Sequence, residues 1–219
     1  MAAVISRRLR DGERVGVGVN SPIPTAGALL ARATHAPHLQ LRLPGSREGE
    51  VFLGSKEFFD MAQRGKIDVF FLSGVQIDRR ARLNMHVLSD YDRPRRRFAG
   101  AFGSAVLYPV IRRVILFRTE HSPRALVEAV DFVTAAGAPD CLVTPKALLT
   151  FAGGELELAS FSPGESVESV RAATGWDLRV RADVGETPGP TAAELAALRD
   201  PVRARLAEVY PRYVEALPA

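Results

Sequence analysis

Short apolar runs separated by polar breaks organise this chain. Val114-Ile115-Leu116-Phe117 is an apolar, branched run flanked by arginines, which predicts a buried strand. Residues 67–72 read the same way. Residues 14–19 alternate valine with glycine and predict a strand, followed by the loop Asn20-Ser21-Pro22-Ile23-Pro24. Thr25 then reads as the cap of a helix carrying Leu29, Leu30 and Ala33. Residues 3–11 have helical spacing, with Val4, Ile5 and Leu9 on one face and Gly12 as the stop. Further strands are predicted over residues 39–43, 127–133 and 142–143, with a short helix over residues 56–64. Residues 147–151 and 155–161, joined through Gly153-Gly154, predict a hairpin. Thr191-Ala192-Ala193-Glu194 has the spacing of a capping box, and Asp200-Pro201 predicts a helix break with a new start at the proline. Strand and helix patterns alternate up to about residue 140. The expected fold is therefore α/β, an open mostly parallel sheet with helices on both faces, ending in a C-terminal helical arm. Residues 1–184 read as one domain and residues 185–219 as its arm, with the Pro/Gly-rich residues 185–190 as the linker.

Composition changes this picture little. The 219 residues are 47% apolar and 25% charged, an ordinary globular balance. The net charge is +4, yet aromatic residues make up only 7%. The one dense basic cluster, Arg93 with Arg95, Arg96 and Arg97, has no aromatic interleaved in the sequence, so a nucleic-acid partner is not expected. A solvated loop or a subunit contact is the favoured reading, with phosphate binding second. The single cysteine, Cys141, sits in an apolar run and reads as a core residue, as a reducing compartment allows. At the N-terminus the apolar residues precede the arginines, the reverse of a secretory leader. No run has the length of a membrane span. A cytoplasmic protein is expected.

Ordinary catalytic equipment is scarce. There is no phosphate-binding loop, no complete dinucleotide fingerprint and no hydrolase elbow. The four histidines, at 35, 38, 86 and 121, are scattered, and no His/Cys cluster has metal spacing, so no metal is expected. What remains are small-residue turns after strands. Ser73-Gly74-Val75-Gln76-Ile77-Asp78 is one and Gly100-Ala101-Phe102-Gly103 the other. Such turns bare backbone N–H groups that can hold a developing oxyanion. In α/β sheets they lie where ligands bind. Taken singly, each is as well explained as a tight turn.

Their order along the chain says more. Val17-Gly18-Val19-Asn20-Ser21-Pro22, Ala28-Leu29-Leu30-Ala31-Arg32 and Thr34-His35-Ala36-Pro37 stand first. Residues 73–78, Arg96-Arg97-Phe98-Ala99-Gly100 and Val130-Asp131-Phe132-Val133-Thr134-Ala135-Ala136-Gly137 follow. Leu142-Val143-Thr144-Pro145 and the stretch from Phe161-Ser162-Pro163-Gly164 to Thr174-Gly175-Trp176 complete the series. In this order they resemble the β-type subunit of the family I coenzyme A transferases of the glutaconate type, over about residues 3–208.

The resemblance implies an α-type partner subunit, in a heterodimer or heterotetramer, and coenzyme A as an acyl-CoA substrate rather than a permanent cofactor. The family's transferases carry CoA on a glutamate just after the strand that follows the His-Ala-Pro turn. Here Leu43-Pro44-Gly45-Ser46 stands in that segment, and Glu48 and Glu50 lie a few residues on. Residues 79–83 depart from the family's pattern with only Asn84 kept, and Phe102 replaces a glycine. These departures resemble the branch that opens steroid rings by hydrolysis, in which the α-type partner supplies the carboxylate. The site residues implied are Gln76 and Asn84, with Glu48 and Glu50 as weaker catalytic candidates, and Ser73, Gly74, Gly100, Phe102 and Gly103 around the acyl-CoA. True transfer through Glu48 or Glu50 and a non-catalytic stabilising role are the alternatives. A sugar-phosphate isomerase-like or sugar-sensing domain would share the scaffold, but the ordered motifs disfavour it.

Overall fold

The computed structural model describes residues 1–43 and 54–217. Two compact units divide the chain, one formed by Met1–Phe71 with Pro190–Ala219 and the other by Leu72–Gly189.

The first unit opens with α1 (Ala2–Ser6), β1 (Arg14–Gly16), α2 (Pro22–Thr34), β2 (Gln40–Arg42), α3 (Ser55–Gln63) and β3 (Val69–Leu72). β1 lies between β2 and β3 and is parallel to both, with Val15 opposite Leu41 on one side and Val69 on the other. Helices connect the strands, as parallel pairing requires. Arg14 fixes the start of β1 by a fork to Asp68, at 2.8 Å from Nε and 2.7 Å from Nη2. α1 is shorter than the apolar spacing predicts. It stops at Ser6, and three-residue turns (Arg8 N–H to Ile5 O, Leu9 N–H to Ser6 O) carry the chain to Gly12, whose φ is +76°. α2 begins one turn earlier than expected. Ser21 is its N-cap and Pro22 its first residue, where a fixed φ favours the helix. Thr25 therefore lies inside α2, its hydroxyl donating to Ser21 O at 2.9 Å.

The second unit contains β4 (Gln76–Asp78), β5 (Leu83–Asn84), β6 (Val87–Leu88), β7 (Arg96–Arg97), α4 (Ser104–Val110), β8 (Arg113–Phe117) and β9 (Leu126–Val127). β10 (Cys141–Val143), β11 (Ala147–Ala152), β12 (Glu155–Phe161), α5 (Val167–Ala172) and β13 (Arg179–Glu186) follow. Its main sheet has the order β13-β12-β11-β10-β8. The β8–β10 and β12–β13 pairs are parallel; β10–β11 and β11–β12 are antiparallel. The fold is thus α/β with a mostly parallel sheet, and the expected hairpin is β11–β12, turned by Gly153 and Gly154 at φ +60° and +82°. The strand expected over residues 127–133 is reduced to Leu126–Val127. Beyond it, two buried side chains take the place of a neighbouring strand. Val130 N–H and Asp131 N–H donate to Asp78 Oδ2 at 3.4 Å and Gln76 Oε1 at 3.0 Å.

The chain then returns to the first unit as α6 (Ala192–Ala197), a π-helical segment (Leu198–Val202), α7 (Arg203–Val209) and α8 (Pro211–Glu215). The capping box forms as expected, with Thr191 and Glu194 bonding to each other's backbone N–H. The break expected at Pro201 does not. A proline inside a helix lacks one N–H and crowds the carbonyl four residues back, and the π segment makes room for both without ending the helix. Val202, Leu206 and Val214 bury against Ala3, Ala26, Leu29 and Leu30. Arg7 grips Glu194 through two bonds of 2.8 and 2.6 Å, and that fork holds the Glu194 carboxyl down at about 2.

His121 reports on the packing of the second unit. Its ring is buried between Thr144 Oγ1 (2.7 Å) and Thr174 Oγ1 (3.1 Å). Burial, and then the Lys146 charge, lower its pKa from 6.5 to about 4. Between these values the unfolded chain binds the proton that the folded chain refuses, so stability falls as pH drops from about 6.5 to about 4. Melting temperature followed across this window should decline, and His121→Gln should flatten the decline. An unchanged slope in the variant would exclude His121 as its source.

Candidate active site

Leu72 ends β3, and Ser73 and Gly74 turn the chain into β4. β4 pairs antiparallel with β5, Gln76 opposite Asn84. A Cβ on Gly74 would stand 2.8 Å from Gln76 O and 2.9 Å from Asn84 O. Only glycine lets the two backbones approach this closely, and Val75 N–H then reaches Asn84 O at 2.8 Å. Asn84 is wholly buried, and both ends of its amide are used. Nδ2 donates to Gln76 Oε1 (2.7 Å) and Val87 O (2.6 Å), while Oδ1 accepts from His86 N–H (3.0 Å). Gln76 Oε1 accepts in turn from Asp131 N–H. The Gln76 amide is therefore pinned by its oxygen, and its nitrogen has no acceptor among the described residues. Asp78, also wholly buried, accepts from Arg80 N–H and Arg82 N–H and pairs with Arg82 Nε at 2.7 Å.

The second turn leads into α4. Gly100, Phe102 and Gly103 have φ of +96°, +36° and +72°. The left-handed region suits the glycines but costs a residue with a side chain. Phe102 adopts it and is 67% exposed. Ser104 closes the turn, its hydroxyl donating to Ala101 O at 2.6 Å. Neither Ala101 N–H nor Gly103 N–H has an acceptor among the described residues, so both can donate to a bound group. A Cβ on Gly100 would lie 3.3 Å from His86 Nε2. His86 thus faces the glycine turn while its backbone N–H is tied to Asn84.

A cavity of about 430 Å³ opens in this unit, and Val75, Gln76 and Phe98 are among the residues that line it. It brings the Gln76 turn to the residue two positions before Gly100. Gly100, Phe102 and Gly103 are not among its lining residues. The arginine cluster packs on the two aromatic residues that flank it in sequence. Arg96 lies 5.1 Å over the Phe98 ring and Arg97 5.0 Å over Tyr91. Tyr91 stacks on Phe132 at 5.0 Å. Glu48 and Glu50 lie outside the described residues. Sequence reasoning missed Arg118, which lines the cavity. The one available signal was its place directly after β8, at a strand's C-terminal end.

The sequence profile of the family described as coenzyme A transferase matches residues 45–172, more than half of the chain. The chain belongs to the coenzyme A transferase family. Over 91% of its length it is 29% identical to the B-type subunit of the 3-oxoadipate CoA-transferase of Pseudomonas knackmussii, covering 90% of that protein. The B-type subunit of the glutaconate CoA-transferase of Acidaminococcus fermentans is 24% identical, covering 89% of this chain and 88% of the relative. The solved decarboxylase AibA/AibB superimposes with a TM-score of 0.84 at 26% identity, covering 99% of this chain and 95% of the other. In this coenzyme A transferase family chain, the two turns legible in the sequence are the ones joined through Asn84 and His86.

Asn84→Ala should destabilise the folded chain by about 2 kcal/mol or more, because Gln76 Oε1, Val87 O and His86 N–H each lose a buried partner. Urea unfolding of the full chain measures this. A loss under about 0.5 kcal/mol, less than one net hydrogen bond, would show that the amide pair does not hold the two turns.

Proposed function

We propose that this chain is the β-type subunit of a heteromeric cytoplasmic enzyme acting on an acyl-CoA. Its reaction is hydrolytic or ring-opening, and the α-type partner supplies the catalytic carboxylate. Two observations carry the reading: turn N–H groups with no acceptor among the described residues, and, in the sequence, a motif segment Pro44-Gly45-Ser46 that holds no glutamate. In such a reaction a base takes a proton from water, and the resulting hydroxide adds to a ketone of the substrate. The carbon–carbon bond breaks, and its electron pair passes to the carbon beside the thioester. The thioester oxygen carries the charge until that carbon is protonated. Backbone donors such as Ala101 N–H and Gly103 N–H suit that oxygen. Gln76 would orient the acyl group or the water. Asn84 would act only by holding the Gln76 amide in place, since it is wholly buried with both ends bonded. Ser73, Gly74 and Phe102 would border the acyl group. A decarboxylase of similar fold supports a scaffold that hosts carbon–carbon cleavage. The two relatives named as CoA-transferases favour the second reading, true transfer through Glu48 or Glu50.

Two outcomes are expected when the chain is produced with an α-type subunit and given acyl-CoA. Free CoA and cleaved product should appear only with both subunits present. Hydroxylamine trapping and peptide mass mapping should find no CoA thioester on this chain. A thioester at Glu48 or Glu50 would establish transfer instead. A full complement of activity in the α-type subunit alone would leave this chain a stabilising role.

A further inference from the structure

The half-buried ring of His86 is held at one end and open at the other. Phe132 packs against it with ring centroids 5.2 Å apart, an edge-on contact that fixes its plane. Its Nδ1 lies 2.7 Å from Thr134 Oγ1. The same hydroxyl oxygen accepts from Met85 N–H at 2.9 Å. The hydroxyl proton then has Nδ1 as its one acceptor among the described residues. A neutral imidazole carries a single N–H, and the bond made by one nitrogen decides which of the two holds it. With Nδ1 accepting from Thr134, the proton stands on Nε2. A charged ring would not alter this, since both nitrogens then donate.

Nε2 is the open end. It has no partner among the described residues, and it is the ring atom nearest to Gly100. A Cβ on that glycine would lie 3.3 Å from Nε2, against 3.7 and 3.9 Å from the ring carbons on either side of it. The tip of the ring thus faces the turn, and the missing side chain leaves it uncovered. The turn itself offers Ala101 N–H and Gly103 N–H. We propose that His86 Nε2–H is a third donor of this turn, a side-chain one, and that it bonds to the thioester oxygen of a bound acyl-CoA as that oxygen gains charge. The proton stays on Nε2 throughout. Thr134 is then a positioning residue that fixes the tautomer. A nitrogen that already carries its proton is no base for water, so His86 complements a carboxylate from another chain and does not replace it. The thioester as ligand rests on the function proposed above; the tautomer and the direction of the ring do not.

The imidazole nitrogens are read directly by NMR of the full chain labelled at histidine, with His86→Gln assigning the signals. Nε2 should carry the proton and Nδ1 should show the shift of an acceptor, and Thr134→Val should mix the two tautomers. A proton on Nδ1 alone in the unsubstituted chain would overturn the proposal. Acetyl-CoA, or ethyl-CoA, the thioether that lacks the thioester oxygen, is then added to the complex with an α-type subunit. Acetyl-CoA should move the Nε2 resonance and ethyl-CoA should not. An unmoved resonance, or equal movement by both, would overturn the donor role. In turnover, His86→Leu should lower kcat by about a hundredfold with KM little changed. His86→Gln, whose amide nitrogen can take the place of Nε2, should recover part of that loss. Melting curves verify that both variants are folded. An undiminished kcat in folded His86→Leu would overturn the proposal. A resonance moved by acetyl-CoA in a complex that turns over no acyl-CoA would reject the proposed reaction and leave His86 as a donor at the turn.

Discussion

Everything at the candidate site hangs on one buried amide pair. Asn84 is wholly enclosed, so each polar atom it carries must find a partner or cost the full penalty of desolvation. It meets that demand by joining three pieces of chain: β4 through Gln76, the start of β6 through Val87 O, and the backbone of His86. Gln76 adds a fourth through Asp131 N–H. The arrangement is possible because Gly74 has no side chain to hold β5 away. An amide serves here where a carboxylate would not, since it donates and accepts at once and adds no charge to the core. The same constraint leaves the Gln76 nitrogen at the cavity wall with a fixed direction.

How much of this was legible follows from how local each signal is. The branched apolar runs announce β3 and β8 because strand burial demands them. The paired glycines announce the β11–β12 turn, and the Thr191–Glu194 spacing announces a cap, because each is decided within a few residues. The two site turns were legible as small-residue turns for the same reason. Their connection was not, because it runs through Asn84 and His86 and depends on the pairing of β4 with β5. The segment after β9 misled, as its alternation is genuine but its N–H groups bond to side chains rather than to a strand. Pro201 misled because a π segment absorbs a proline that an α-helix cannot. The ring partners of the arginine cluster, Tyr91 and Phe98, flank it in sequence, and only the stacking of Phe132 on Tyr91 was hidden by distance. Arg118 was hidden differently. Its place directly after β8 is the one local sign, and its single weak contact with Glu120 shows only in the folded chain.

Family membership and local chemistry constrain different things. The fold and the subunit type come with the family. In the function proposed above, the reaction depends on which carboxylate meets the thioester, and so on a few atoms near one turn. Substitution of a single turn residue can alter the shape of such a site while the strands around it stay as they are. Scaffolds that keep their strands and vary their turns can therefore support transfer, hydrolysis and decarboxylation alike.

The fork between Arg7 and Glu194, and the apolar contacts of Leu29 and Leu30 with Val202 and Leu206, have a consequence for biosynthesis. One unit of this protein is assembled from two separate stretches of chain, residues 1–71 and 190–219. During translation α2 emerges early, yet the helices that cover its apolar face leave the ribosome only after residues 72–189 have been made. Synthesis proceeds at roughly 5–20 residues per second, so that face stays bare for many seconds. The nascent chain is then a natural client for a chaperone that shields apolar helices. A stall or truncation before residue 190 would release a product that cannot complete its first core, however well its middle has folded.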